Sequence, residues 1–197
     1  MTITASQVQE LRQRTGVGMM ECKRALEEAA GDLEKAIDLL RSRGHAKAAQ
    51  AAGRATREGR VDSYIHLGGK IGVLIEVNCE TDFVAKTEDF RELTRSLAMQ
   101  VAATNPLAVS REGLDPELVE REKEIYRQQA RETDKPEEMV EKIAVGKLDK
   151  WYQDVCLLDQ AYIKDPDRKV SDVVSEAIQR LGENIVIRRF TRYEVGA

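Results

Sequence analysis

No C-x-x-C pair occurs anywhere in the 197 residues; Cys22, Cys79 and Cys156 stand far apart. That scatter argues against a disulfide framework and for buried free thiols in a reducing compartment. Histidine is scarcer, with only His45 and His66. A four-ligand zinc site would need most of these five residues to converge, so no metal site and no cofactor are expected. No run of about 18 apolar residues exists, which argues against a membrane-spanning helix. The opening MTITASQVQELRQRTG has no apolar signal-peptide core, so a cytoplasmic protein is expected, or one in an organelle interior if a leader has been removed. Charge of a single sign is missing too. Charged residues make up 34% of the chain, yet the formal net charge is -4, which argues against bulk nucleic-acid binding as the main role.

Catalytic signatures are equally absent. There is no G-x-S-x-G and no H-E-x-x-H. Gly16-x-Gly18 and Gly68-Gly69-x-x-Gly72 look like phosphate loops. The first lacks the third glycine of the dinucleotide fingerprint, neither matches G-x-x-x-x-G-K-[ST], and no direct nucleotide binding is expected. Cys79 and His66 on facing strands make a conceivable nucleophile and base, but no third group orients them, and a buried strand cysteine is the favoured reading. Glu76, Glu80 and Asp82 form a carboxylate cluster of the kind that arises by chance among 35 acidic residues.

What is present is helical periodicity. Thr4 and Gln7 have capping-box spacing, and Val8 and Leu11 begin an apolar stripe. TGVG (15–18) reads as a turn. Cys22, Ala25, Leu26 and Ala29 then mark one face of a second helix, with Gly31 as its cap and Asp32 as the next N-cap. Leu33, Ala36, Ile37 and Leu40 give a third helix, closed by Gly44. Residues 1–44 therefore predict a three-helix bundle with a small core. Residues 45–59 read as a basic linker, either a solvated connector or a docking surface for an acidic partner.

Residues 60–197 predict an α+β module. RVDSYIHL and KIGVLIEVNC flank Gly68-Gly69 as a hairpin, and the second strand is apolar enough to be central. Phe90, Leu93, Leu97 and Val101 mark a helix that Asn105-Pro106 stops, and Asp115-Pro116 opens another. Leu118, Ile125 and Tyr126 are that helix's expected apolar contacts. Met139, Val140 and Ile143 line a short helix ended by Gly146. Leu148, Trp151, Tyr152 and Val155 mark the next. The stretch 115–156 is thus a charged helical insertion. DPDRKVS predicts a turn with Ser171 as N-cap of a last helix, and NIVIRRFTRYEV predicts a terminal strand with an open edge. The fold class is α+β: a helical bundle, then a small antiparallel sheet packed with helices.

Two segments carry a family resemblance. TGVGMMECKRAL (15–26) resembles the first signature of the translation elongation factor Ts family, and EVNCETDFVAK (76–86) resembles the second. GENIVIRRFTRYEVG resembles the family's C-terminal strand, so the likeness spans essentially the whole chain. The first signature is the less specific, because ubiquitin-associated domains share its three-helix pattern. The resemblance implies a guanine-nucleotide exchange factor for elongation factor Tu, not an enzyme. An adaptor that uses the bundle to bind other proteins is the alternative. By the same resemblance, Thr81, Asp82, Phe83 and Val84 intrude beside the partner's magnesium site and dislodge the ion. Val17, Gly18, Met19 and Met20 are expected at the bundle's docking surface, although Gly18 also reads as shaping the turn and bundle core is an equal reading for at least one of the methionines. Phe83 alone, without the resemblance, reads as a core plug at a strand–helix junction. Long members of the family carry a second core half. Short ones act as homodimers, which is the expectation here.

Overall fold

The computed structural model describes residues 3–132 and 136–196. The chain folds into two compact units. One holds the chain up to Val61, then Glu76–Thr94 and Asp172–Ile187. The other holds Asp62–Ile75, Arg95–Ser171 and the chain from Arg188.

In the first unit the bundle forms as its sequence signals direct. Helix α1 (Ala5–Thr15) begins at a capping box between Thr4 and Gln7. Gly16, at φ 68°, ends it by returning its N–H to the Arg12 carbonyl at 2.7 Å. Helix α2 (Met19–Glu28) follows, and α3 (Leu33–Ala51) starts at Asp32, whose carboxylate accepts the Lys35 N–H. Leu11, Val17, Cys22, Leu26 and Leu40 meet in the core between them.

Helix α3 runs seven residues past the expected stop at Gly44. That glycine is buried and faces α8 (Val170–Leu181), where a Cβ would lie 2.9 Å from the Gln179 Oε1. Its small size serves close helix packing, not termination, so the first part of the expected linker is helix. Asp172 of α8 reinforces the contact by pairing with Arg41 and, at 3.1 Å, with His45.

Strands β1 (Glu58–Ile65) and β2 (Ile71–Cys79) form the expected hairpin. Its turn is closed by Gly69 N–H on the His66 carbonyl at 2.9 Å, with Gly68 at φ 90°. Strand β5 (Val186–Glu194) joins them in a small antiparallel sheet of order β1-β2-β5, so β2 is central as its apolar sequence requires. Val73, Ile75, Val77 and Cys79 of β2 are buried while Leu74 is half exposed, the period-2 signature of a sheet covered on one face.

A one-turn helix α4 (Asp82–Ala85) leads into α5 (Glu88–Thr104). Phe90, Leu93, Leu97 and Val101 are all buried, and Asn105 leaves α5 at φ 46° before Pro106.

The second unit contains a helical pair. Helix α6 (Pro116–Arg131) has Asp115 as N-cap and Pro116 in its first turn. Its apolar contacts differ from expectation: Ile125 is exposed, Leu118 half-buried, and Ala130 fully covered. Helix α7 (Glu137–Val155) is one element, not two. Gly146 does not end it, because Val140, Ala144 and Leu148 keep a continuous buried stripe that outweighs a glycine cost of about 1 kcal/mol. Arg127 grips Glu141 across the pair at 2.7 Å, and Arg131 reaches Glu137 at 2.7 Å. Asp165–Lys169 is a strand, β4, paired with β3 (Ala161–Tyr162). DPDRK is therefore not a turn. Helix α8 already includes Val170, so Ser171 is not its N-cap.

Candidate functional site

The segment Thr81–Val84 occupies the corner between β2 and α5. Thr81 is extended at φ -127° and ψ 153°, and its hydroxyl accepts the Val84 N–H at 3.4 Å as N-cap of α4. Asp82 sits in the first turn and accepts from the Lys86 ammonium at 2.5 Å. That hydrogen bond, chiefly, holds the Asp82 carboxyl below its ordinary range. Thr87 ends the corner: its hydroxyl donates to the Val84 carbonyl at 2.8 Å and accepts the Phe90 N–H at 3.2 Å.

Phe83 is 80% exposed. The core-plug reading of the bare sequence therefore fails, while Phe90, seven residues later, is fully buried. Val84 is half-buried and Ala85 buried, so the short helix rests on one side and shows Phe83 on the other, with Asp82 half-buried beside it.

The corner is tied down from a distant part of the chain. Glu183, just beyond α8, accepts the N–H groups of Glu80 and Thr81, each at 3.0 Å, and the Thr81 hydroxyl at 2.5 Å. Glu80 returns the favour by accepting the Asn184 N–H at 2.6 Å and pairing with Arg54 at 3.1 Å. Asn184 also donates to the Arg54 carbonyl at 2.9 Å.

Of the four bundle residues, Gly18 is exposed and forms the N-cap of α2. Met19 and Met20 are 41% and 62% exposed. Val17 is sealed inside the bundle core and braces the turn from beneath. A family model described as elongation factor Ts matches residues 4–197. The chain belongs to the elongation factor Ts family. It is 61% identical to elongation factor Ts of Moorella thermoacetica over 194 residues, covering 98% of this chain and 96% of that protein. It is 59% identical to elongation factor Ts of Syntrophomonas wolfei, covering 98% and 91%. The corresponding figures for Geotalea daltonii are 57%, 100% and 91%.

The first segment that carries the elongation factor Ts likeness and the helix that follows the second share a neighbour. Arg180 of α8 lies 3.4 Å from Asp89 at the start of α5. Its side chain also lies over Gly16, where a Cβ would meet the Arg180 Cδ at 3.1 Å. The glycine thus leaves room for an arginine that touches both the TGVG turn and the helix leading out of the TDFV corner.

Cys79 is buried, donates to the Thr81 carbonyl at 3.2 Å, and has its thiol pushed up to about 11 by burial first and the Glu183 charge second. A thiol so placed stays protonated near neutral pH and is a poor nucleophile. His66 is within 3.0 Å of the Tyr64 hydroxyl. Among the described residues no group of three His, Cys, Asp or Glu could hold a metal ion. Among them, too, no helix is long and apolar enough to cross a membrane.

Sequence reasoning missed Arg54, Glu183 and Asn184. Glu183 and Asn184 lie roughly a hundred residues from the corner they hold, and an acidic residue after a helix-capping glycine carries no signal of such a role. Arg54 stands in a basic stretch that gives it no individual signal.

Proposed function

We propose that the protein is a guanine-nucleotide exchange factor in translation elongation. It binds elongation factor Tu carrying GDP, dislodges the magnesium ion and promotes GDP release so that GTP can enter. The observation that carries this reading is Phe83, a large apolar side chain left 80% exposed on a corner held by charged hydrogen bonds. Such a group is costly to leave in water and well suited to enter a gap in a partner. Beside it, Asp82 can compete for donors or ligand positions near the metal. GDP is held by its phosphates, the cation and backbone donors, so displacing the cation leaves phosphate charge less neutralised.

The factor performs no covalent step. Its effect is a coupling free energy, and whatever loosens GDP is itself loosened by GDP. A rate gain of roughly 10⁴ needs about 5.5 kcal/mol off the release barrier. One buried aromatic supplies about 2–3 kcal/mol, so the bundle must share the load. Gly18, Met19 and Met20 offer the second contact, since methionine adapts to irregular surfaces, with Val17 holding their turn from inside.

The protein acts in the cytoplasm and as a homodimer in this reading. Ile65, Leu74, Tyr193 and Val195 line an apolar groove of about 350 Å³ on a sheet in which β5 is an edge strand among the described residues, a face suited to a second copy. Sedimentation velocity at micromolar concentration checks this, and a single monomer peak refutes it. The exchange reading is tested by preloading elongation factor Tu with fluorescent GDP, adding the protein with excess unlabelled nucleotide, and timing the loss of signal. Acceleration is expected, and unchanged release at micromolar factor refutes the reading.

A further inference from the structure

We propose that Glu183 is a positioning residue for nucleotide exchange, its carboxylate setting the direction in which Phe83 is presented to the GTPase. The inference rests on the proposed function and deepens it. Helix α4 is only four residues long, and so short a helix has no stability of its own. Its orientation is set by whatever grips its first turn. Thr81 is the grip point, because its hydroxyl caps α4 at the Val84 N–H.

Three donors converge on Glu183: the N–H of Glu80, the N–H of Thr81 and the Thr81 hydroxyl. An ionised carboxylate is an acceptor-only group with two oxygens, which suits a site offering donors alone. The exchange is reciprocal. The backbone of Glu80 donates to the side chain of Glu183, and the side chain of Glu80 accepts from the backbone of Asn184 at 2.6 Å. Arg54 pairs with Glu80 at 3.1 Å, and its carbonyl takes the Asn184 amide. The corner is thus clasped by residues 183–184 and by the end of the segment leaving the bundle. Glu183 does not touch the partner in this scheme. It acts through Thr81.

The experiment times release of fluorescent GDP from elongation factor Tu by the full chain, with factor titrated to saturation. Glu183→Ala is expected to lower the saturating rate by about tenfold, with the half-saturating concentration changed by less than about twofold, since the docking surfaces are intact. Glu183→Gln is expected to restore most of the rate, because its amide oxygen still accepts both N–H groups and its NH₂ can donate to the Thr81 hydroxyl. Amide hydrogen exchange on the free protein gives a readout independent of activity. In Glu183→Ala the N–H groups of Glu80, Thr81 and Val84 lose protection while those of α5 and the bundle keep theirs. Phe83→Ala runs alongside as the control. If Phe83→Ala is slow but Glu183→Ala matches wild type, the positioning role is overturned. It is also overturned if Glu183→Ala weakens binding in proportion to rate, if Glu183→Gln is as slow as Glu183→Ala, or if protection falls everywhere. If Phe83→Ala itself exchanges normally, the reading of Phe83 fails, and the amide data alone decide whether Glu183 holds the corner.

Discussion

Replacing Phe83 by alanine separates a residue that serves the fold from one that serves a partner. A phenylalanine buried in full contributes about 3 kcal/mol. Phe83 is 80% exposed, so about one-fifth of that, ~0.6 kcal/mol, is realised in the free protein. Alanine's better helix propensity recovers several tenths of a kcal/mol at this position in α4. The net change in stability is then close to zero, and the melting temperature should move by less than about 2 °C. The unrealised four-fifths, about 2 kcal/mol, is available only when the ring is buried in the partner. If that energy appears in the transition state for GDP release, the saturating exchange rate falls about thirtyfold. Thermal unfolding by circular dichroism and stopped-flow release of fluorescent GDP measure the two halves. A melting temperature lowered by about 6 °C or more would show the ring to be a core residue. An unchanged saturating rate with a raised half-saturating concentration would make it an anchor and refute the wedge. Phe83→Leu should fall between wild type and alanine.

Gly146→Ala should stabilise the protein by about 0.5–1 kcal/mol in urea unfolding, because the glycine lies inside α7 with nothing within 4 Å of a Cβ. Gly59→Ala should destabilise by about 2–4 kcal/mol, since its φ of 148° is strained for alanine and a Cβ would lie 2.4 Å from the Val77 carbonyl oxygen; the same unfolding assay reads it. Acid should loosen the α6–α7 pair through Glu141, whose carboxyl is drawn from the ordinary 4.5 to about 2 by Arg127 first and Lys123 next. Its folded value is depressed, so its contribution is complete above about 4.5 and is lost as pH falls through about 2. Amide protection in α6 and α7 should decline over that window, and Glu141→Gln should remove this component of the decline.

Local signals settled most of the elements. Thr4 with Gln7, Asp32, and Asp115 with Pro116 mark helix starts through side chains within a turn of the groups they satisfy. Gly16, Gly68 and Gly182 mark exits through positive φ. The apolar run KIGVLIEVNC reads as a central strand, and β2 is central. These are short-range properties, and hydrogen-bond geometry with side-chain period is enough to read them. Where reading failed, the deciding neighbour was remote. Gly44 and Gly146 have the same residue type and much the same local setting as a helix stop, and only a buried stripe or a facing helix tells α3 and α7 to continue.

The candidate site divides along the same line. By itself the sequence determined that TDFV follows an apolar strand and precedes an amphipathic helix, because each element is read from the spacing of apolar residues within it. It did not determine that Phe83 faces out while Phe90 faces in, nor that Val17 is sealed while Met20 is open. Burial depends on surfaces contributed by distant segments. Nor did it show Glu183 gripping Thr81, since a carboxylate's partners are whichever donors the fold brings within about 3 Å. That choice belongs to the tertiary structure, which sets residues 81 and 183 side by side and gives a four-residue helix a fixed direction.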